Sequence, residues 1–239
     1  MRTTFAASAL ALLFVAPAAS AQSYAPGAKP AVDDEPAYVE APARSGYGYA
    51  PRSNDHTGLM LRLAIGIGAG AIAQEQGSVE TTYRGGAGLT SVAIGGAVSP
   101  NFALGADFFG FGLTDPEVYI DGERVGYAGA NTQYRMNAVG LNGTYYVMPA
   151  NVYLSGSIGL GMNTVTRYSG YANRYTTERS TSDAGLALAA MVGKEWKVSR
   201  EWGLGVAGQF MLAGSKDSAG SNTSYGNAAF GVLFSATYF

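Results

Sequence analysis

Cysteine is absent from this 239-residue chain, which excludes disulfides, thiolate nucleophiles and Cys-ligated metals. Histidine occurs once, as His56, so no His cluster is available to hold a metal. Charge is scarce. Asp, Glu, Lys and Arg make up 13% of the residues, about half the share usual in a soluble domain. A net charge of −2 supplies no basic surface for nucleic acid. Long apolar runs are missing too. Past the N-terminus, none reaches the ~18 uninterrupted apolar residues of a membrane helix. The nearest, Leu59–Ala73, carries Arg62 and is rich in glycine.

Glycine (34) and tyrosine (16) are abundant instead, and the order of the residues explains why. Arg2, the apolar stretch Ala6–Ala16 and the small-residue site Ala19-Ser20-Ala21 read as a secretory leader over 1–21. The alternative, a membrane anchor, is opposed by the shortness of the run and by Pro17. Residues 22–56 are rich in Pro, Ala and Gly and hold Asp33-Asp34-Glu35. They show no apolar period and are expected to form a flexible periplasmic segment, a linker or a partner-binding tether.

From residue 57 onward the period is two, the period of a strand with unlike faces. Eight segments alternate in this way. Leu59, Leu61, Leu63, Ile65 and Ile67 share one face of the first, with Met60, Arg62 and Ala64 on the other. The fifth is the cleanest, with Val152, Leu154, Ile158, Leu160 and Met162 set against Tyr153, Ser155, Ser157, Gly159 and Asn163. Tight connections (Ser99-Pro100-Asn101, Met148-Pro149-Ala150-Asn151, Ser199-Arg200-Glu201-Trp202) take turns with longer polar ones near 74–86, 114–131, 165–182 and 214–225. Short turns on one side and long loops on the other are the signature of a transmembrane antiparallel up-and-down β-barrel of eight strands, occupying 57–239. A period of two rules out membrane helices, and only closure satisfies strand backbones in lipid.

The alternation turns Arg62, Asp107, Asn142, Glu195 and Gln209 inward. A barrel of this size has an interior that side chains can fill, so these groups are expected to form a polar network, with Arg62 paired to Asp107 and Glu195. The competing reading is a narrow ion path. Near Glu195, Lys194 falls on the lipid face, where it either snorkels to the interface or is turned inward by a bulge. Phe102, Tyr145, Trp196, Trp202 and Tyr238 lie beside the short turns and read as an aromatic girdle at the headgroup level.

Asp121-Gly122, flanked by apolar residues, signals a hairpin within the second long connection. The third carries Tyr168, Tyr171, Arg174 and Tyr175, adaptable binding chemistry that makes these the candidate recognition residues for an extracellular ligand or surface. That reading covers adhesion and sugar or lipopolysaccharide contact; the plainer one is that outer loops are simply polar and that Arg meets the anionic headgroups of outer-membrane lipid. Enzyme chemistry finds little support. His56 precedes the first strand and cannot complete a triad at the far rim. Asp115 and Glu117 lack a positioned partner, and Gly66-Ile67-Gly68-Ala69-Gly70 is not followed by a helix. No cofactor is implied.

With its leader, strand count, turn asymmetry and terminal Phe239, the chain resembles the small eight-stranded outer-membrane proteins typified by the OmpA transmembrane domain and OmpX. The resemblance covers 57–239. It implies the outer membrane of a Gram-negative bacterium and insertion by the barrel-assembly machinery, with Phe239 as the assembly signal. Here Thr237 and Ser235 share the face of Phe239, while Phe234, Ala236 and Tyr238 share the other. The end therefore departs from the family's apolar alternation. The function implied is non-enzymatic, structural or surface-interacting; a small pore is the alternative, and a lipid-modifying enzyme is a more distant one.

Overall fold

The computed structural model describes residues 58–129, 131–171, 174–217 and 222–239, and for 169–171 and 174–176 the backbone alone. The expected leader, the segment 22–56 and His56 lie outside the described residues. The strands are β1 (Leu59–Gln76), β2 (Val79–Ser99), β3 (Phe102–Thr114), β4 (Glu117–Ile120), β5 (Glu123–Tyr127), β6 (Thr132–Val147), β7 (Val152–Tyr171), β8 (Arg174–Thr181), β9 (Gly185–Lys197), β10 (Trp202–Asp217) and β11 (Thr223–Tyr238). Eight of these, β1, β2, β3, β6, β7, β9, β10 and β11, make an antiparallel ring, closed where β1 pairs with both β2 and β11.

The register sets the shape of the ring. A path along cross-strand partners leaves Arg62, passes Ala93, Asp107, Gly140, Gly159, Ala187, Ala213 and Asn227, and regains β1 at Ile72, ten residues from its start. With a rise of about 3.3 Å per residue and strands about 4.8 Å apart, that stagger tilts the strands by roughly 40°. The interior is then only wide enough for side chains.

Outward positions carry the apolar residues. Ile67 is 79% exposed, Leu141 73% and Leu160 60%. A continuous band of this kind would be untenable in water and is what bilayer hydrocarbon requires. Inward positions fall into layers. From the short-turn end, the buried inward residues of β3 run Ala103, Asp107, Phe109, Phe111, Leu113, and those of β6 run Tyr146, Thr144, Asn142, Ala138, Met136, Tyr134. On β2 they run Ala93, Ser91, Leu89, Ala87. A polar belt thus sits beneath an apolar layer, and above that layer Asn163, Ser182, Ser215 and Asn227 form a second buried polar cluster. Phe239 closes the short-turn end, its ring edge-on to Tyr146 at 5.5 Å and against the Met60, Ala93, Ala103 cluster. Gly193 makes room for a lumen residue, since a Cβ there would lie 2.6 Å from the Tyr153 ring and hydroxyl.

The long connections differ from the sequence expectation, because most of their length is strand. Residues 74–86 hold only a two-residue turn, Gly77-Ser78, between β1 and β2, with Gly77 at φ +66°. Within 165–182, β7 continues to Tyr171 and β8 pairs back along it. Within 214–225, β10 reaches Asp217 and β11 begins at Thr223. Thr, Tyr and Val favour strands wherever neighbours pair with them, and beyond the lipid no apolar contrast is needed to keep them extended. In the second connection the hairpin signal and the structure agree. β4 and β5 flank Asp121 (φ 49°) and Gly122 (φ 85°), both left-handed as a type I′ turn demands. β4 also pairs with the upper end of β2.

Alternation persists through β9 without a bulge. Lys194 stays outward and snorkels, its Nζ donating to the Ala150 carbonyl at 2.6 Å and lying 5.9 Å from the Trp196 ring centre.

Candidate functional site

The structure places Arg62, Asp107, Asn142, Glu195 and Gln209 inside the barrel, none more than 4% exposed. The expected ion pairing of Arg62 with Asp107 and Glu195 is not what forms. An ion pair does form between Arg124 and Glu117, on the β4–β5 hairpin. Asp107 stands two strands away from Arg62 in the register, and short hydroxyl side chains from β7 fill the gap.

Those hydroxyls build a relay from Arg62 Nη2 to Asp107. The Arg62 guanidinium donates through Nη2 to Ser155 Oγ at 2.7 Å. Asn142 Nδ2 donates to the same oxygen at 2.8 Å and to Ser157 Oγ at 2.9 Å. Ser157 donates to Asp107 Oδ2 at 2.6 Å, and Ser91 donates to Oδ1 at 2.9 Å. Ser155 has used both lone pairs, so its proton goes to Thr144 Oγ1 (3.0 Å), which in turn donates to Asn142 Oδ1 at 3.0 Å. The guanidinium also lies over the Tyr153 ring, 4.8 Å from its centre. Glu195 stands apart from the relay and accepts from Thr237 Oγ1 at 2.5 Å. Such an arrangement ties five strands, β1, β2, β3, β6 and β7, together through buried polar contacts. Its charged ends are bridged by neutral hydroxyls and an amide.

Phe109, Leu89, Met136 and Met211 lie directly above this belt, each fully buried. The chain is a transmembrane β-barrel with a filled lumen. No protein-family model matches the sequence, and no curated protein matches it. Solved structures do resemble it. The outer membrane protein OprG from Pseudomonas aeruginosa is 10% identical with a TM-score of 0.42, over 77% of this chain and 98% of that one. Ail, the attachment invasion locus protein of Yersinia pestis, solved with the heparin analogue sucrose octasulfate, is 11% identical with a TM-score of 0.38, over 73% and 98%. The outer membrane protease OmpT from Escherichia coli is 9% identical with a TM-score of 0.39, over 76% and 96%. Likeness at this level concerns the path of the chain and says nothing of activity.

The five residues expected to form the aromatic girdle sit at strand ends beside the short turns. Tyr145, Trp196 and Trp202 are exposed, Phe102 and Tyr238 half-buried. Phe102 pairs with Tyr145 in the register, and Trp202 meets Tyr238 edge-on at 5.4 Å. At the opposite rim, Tyr168 is exposed, whereas the side chains of Tyr171, Arg174 and Tyr175 lie outside the described residues.

A cluster that sequence reasoning missed occupies the β4–β5 hairpin. Glu117 accepts from Tyr119 Oη at 2.9 Å and from Arg124 Nε at 3.0 Å. Arg84 stacks on Tyr119 and Arg124 on Tyr127, each at 4.9 Å. The Tyr119 hydroxyl first, and then the Arg124 charge, hold the Glu117 carboxyl below its ordinary 4.5. Glu117, expected to lack a positioned partner, is thus engaged by both Arg124 and Tyr119. Its signal was the alternation Glu117, Tyr119 facing Arg124 across the Asp121-Gly122 turn. Among the described residues no group of His, Asp and Glu could hold a metal.

Proposed function

We propose that this barrel is a non-enzymatic protein of the Gram-negative outer membrane, held closed by its side chains and acting structurally or in surface interaction through the hairpins that rise from the long-connection end. The expected leader 1–21 would deliver it, segment 22–56 would lie in the periplasm, and Phe239 would be the group offered to the assembly machinery. The observation that carries the reading is the apolar layer. Leu89, Phe109, Phe111, Met136 and Met211 are at most 3% exposed, and they separate the lower polar belt from the upper cluster, which opposes an ion path. The hairpins beyond the band present preordered Arg–Tyr stacks, a surface of the kind that binds at little entropic cost.

Conductance across planar bilayers tests this. Purified, refolded barrel is expected to stay silent, wild type and Asp107→Ala alike. Steady openings that change with Asp107→Ala would put the pore in its place. Exchanging the β4–β5 hairpin for a short turn is expected to leave the barrel folded and to abolish its binding to other surfaces.

A further inference from the structure

We propose that the outer half of the β2–β3–β6 wall is a seat for lipopolysaccharide, with Arg135 holding a phosphate of its sugar headgroup; the proposal rests on the orientation given above. The lipid-facing rungs there read Ile65–Thr90–Gly110–Asn137, Ile67–Gly88–Gly112–Arg135 and Thr114–Gln133. Across the barrel the corresponding wall carries Leu160, Leu186, Leu188, Phe210 and Phe230. The glycines leave a groove of about 390 Å³ whose lining includes Thr90, Thr114, Gln133, Arg135 and Asn137. A larger hollow of about 720 Å³ elsewhere on the wall is lined mainly by residues such as Leu154, Val192, Phe210 and Phe230, and it suits any acyl chain.

Polarity is what singles out the smaller groove. Asn137 and Thr90 turn an amide and a hydroxyl toward hydrocarbon, which offers such groups nothing. Lipopolysaccharide carries hydroxyl and amide groups at the roots of its acyl chains, beneath phosphorylated sugars. Those roots would lie over Gly88 and Gly112, reaching Asn137 and Thr90, with the chains running deeper along Val92, Phe108 and Val139. At the rim, the exposed Arg135 donates through Nη2 to Gln133 Oε1 at 3.0 Å, which aims a cationic fork at the headgroup level, where phosphate is bound most strongly.

Two substitutions test the seat without touching the lumen. A Cβ added at Gly88 meets nothing within 4 Å, so Gly88→Leu fills the groove and spares the fold. Arg135→Ala removes the cation from an exposed position. The full barrel is refolded into phosphatidylcholine vesicles, alone or with added lipopolysaccharide or phosphatidylglycerol, and its urea-unfolding midpoint is measured. Lipopolysaccharide is expected to raise the wild-type midpoint and phosphatidylglycerol to leave it nearly unchanged. Both variants should keep the wild-type midpoint in phosphatidylcholine and lose the rise, with Arg135→Ala weakening lipopolysaccharide binding about tenfold, the worth of a charge-assisted hydrogen bond. No rise in wild type, an equal rise with phosphatidylglycerol, or variants that retain the rise would each overturn the proposal. Conductance, or binding that survives the hairpin exchange, would count against the surface-interaction reading and leave this one standing.

Discussion

Arg62 and Asp107 are joined through Ser155, Asn142 and Ser157, with no direct contact between guanidinium and carboxylate. A bridged pair behaves differently from a touching one. Each charge is met by neutral dipoles, Arg62 through Nη2 and Asp107 through both carboxylate oxygens, so the middle of the chain matters as much as its ends.

The first prediction follows from Ser155, whose oxygen receives two donors. Ser155→Ala removes the acceptor of Arg62 Nη2 and one acceptor of Asn142 Nδ2 in a buried site, and is expected to destabilise by about 1–3 kcal/mol. Combined with Arg62→Ala, its cost should fall well below the sum of the two. Urea unfolding in vesicles measures this, and additive losses would show that the relay does not act as a unit.

The second concerns the band. Leu160 projects from β7 midway up the wall and is 60% exposed. Leu160→Arg is expected to cost about 2–4 kcal/mol, the depth-dependent penalty of a cation facing hydrocarbon. An unchanged midpoint in lipid would mean that this face of β7 does not meet the membrane.

The third is a pH dependence at the β4–β5 hairpin. The carboxyl of Glu117 titrates below its ordinary 4.5 because Tyr119 and Arg124 favour the charged form. A depressed carboxylate adds order above its unfolded pKa and loses it as pH falls through the folded one. The protection factors of the β4 and β5 amides, exchange rates referred to the unfolded chain at the same pH, should therefore fall on acidification below about 4.5 in wild type, and should be low and flat with pH in Glu117→Gln. Protection that is high and pH-independent in both would remove Glu117 from the hairpin's support.

Much of this architecture is legible in the sequence because lipid imposes a strict contrast. Leu154, Ile158 and Leu160 alternate with Ser155, Ser157 and Gly159, and each lies on the face its parity assigns. Legibility fades in two places. Beyond the band, Gln74-Glu75-Gln76 and Thr164–Tyr171 remain strand although nothing apolar marks their faces, so they read as loops. Inside the barrel, parity tells that Arg62 and Asp107 point inward but not what lies between them. Ser155 and Ser157 look like small fillers until the stagger brings them between the two charges. In Phe108-Phe109-Gly110-Phe111, aromatic residues on both faces mask the fact that Phe109 and Phe111 are buried on the inward face.

The ten-residue climb of the register from Arg62 to Ile72 has a mechanical consequence. Side-chain direction reverses with every residue, so sliding one strand by a single position would drive leucines into the lumen and Asp107 into lipid. The wall is a screw whose thread advances only in steps of two. A thread of eight or twelve would keep every face in place at a different bore, whereas nine or eleven would turn one strand inside out. Small insertions in these strands are therefore expected to be absorbed in pairs, and odd ones to be expelled into the hairpins.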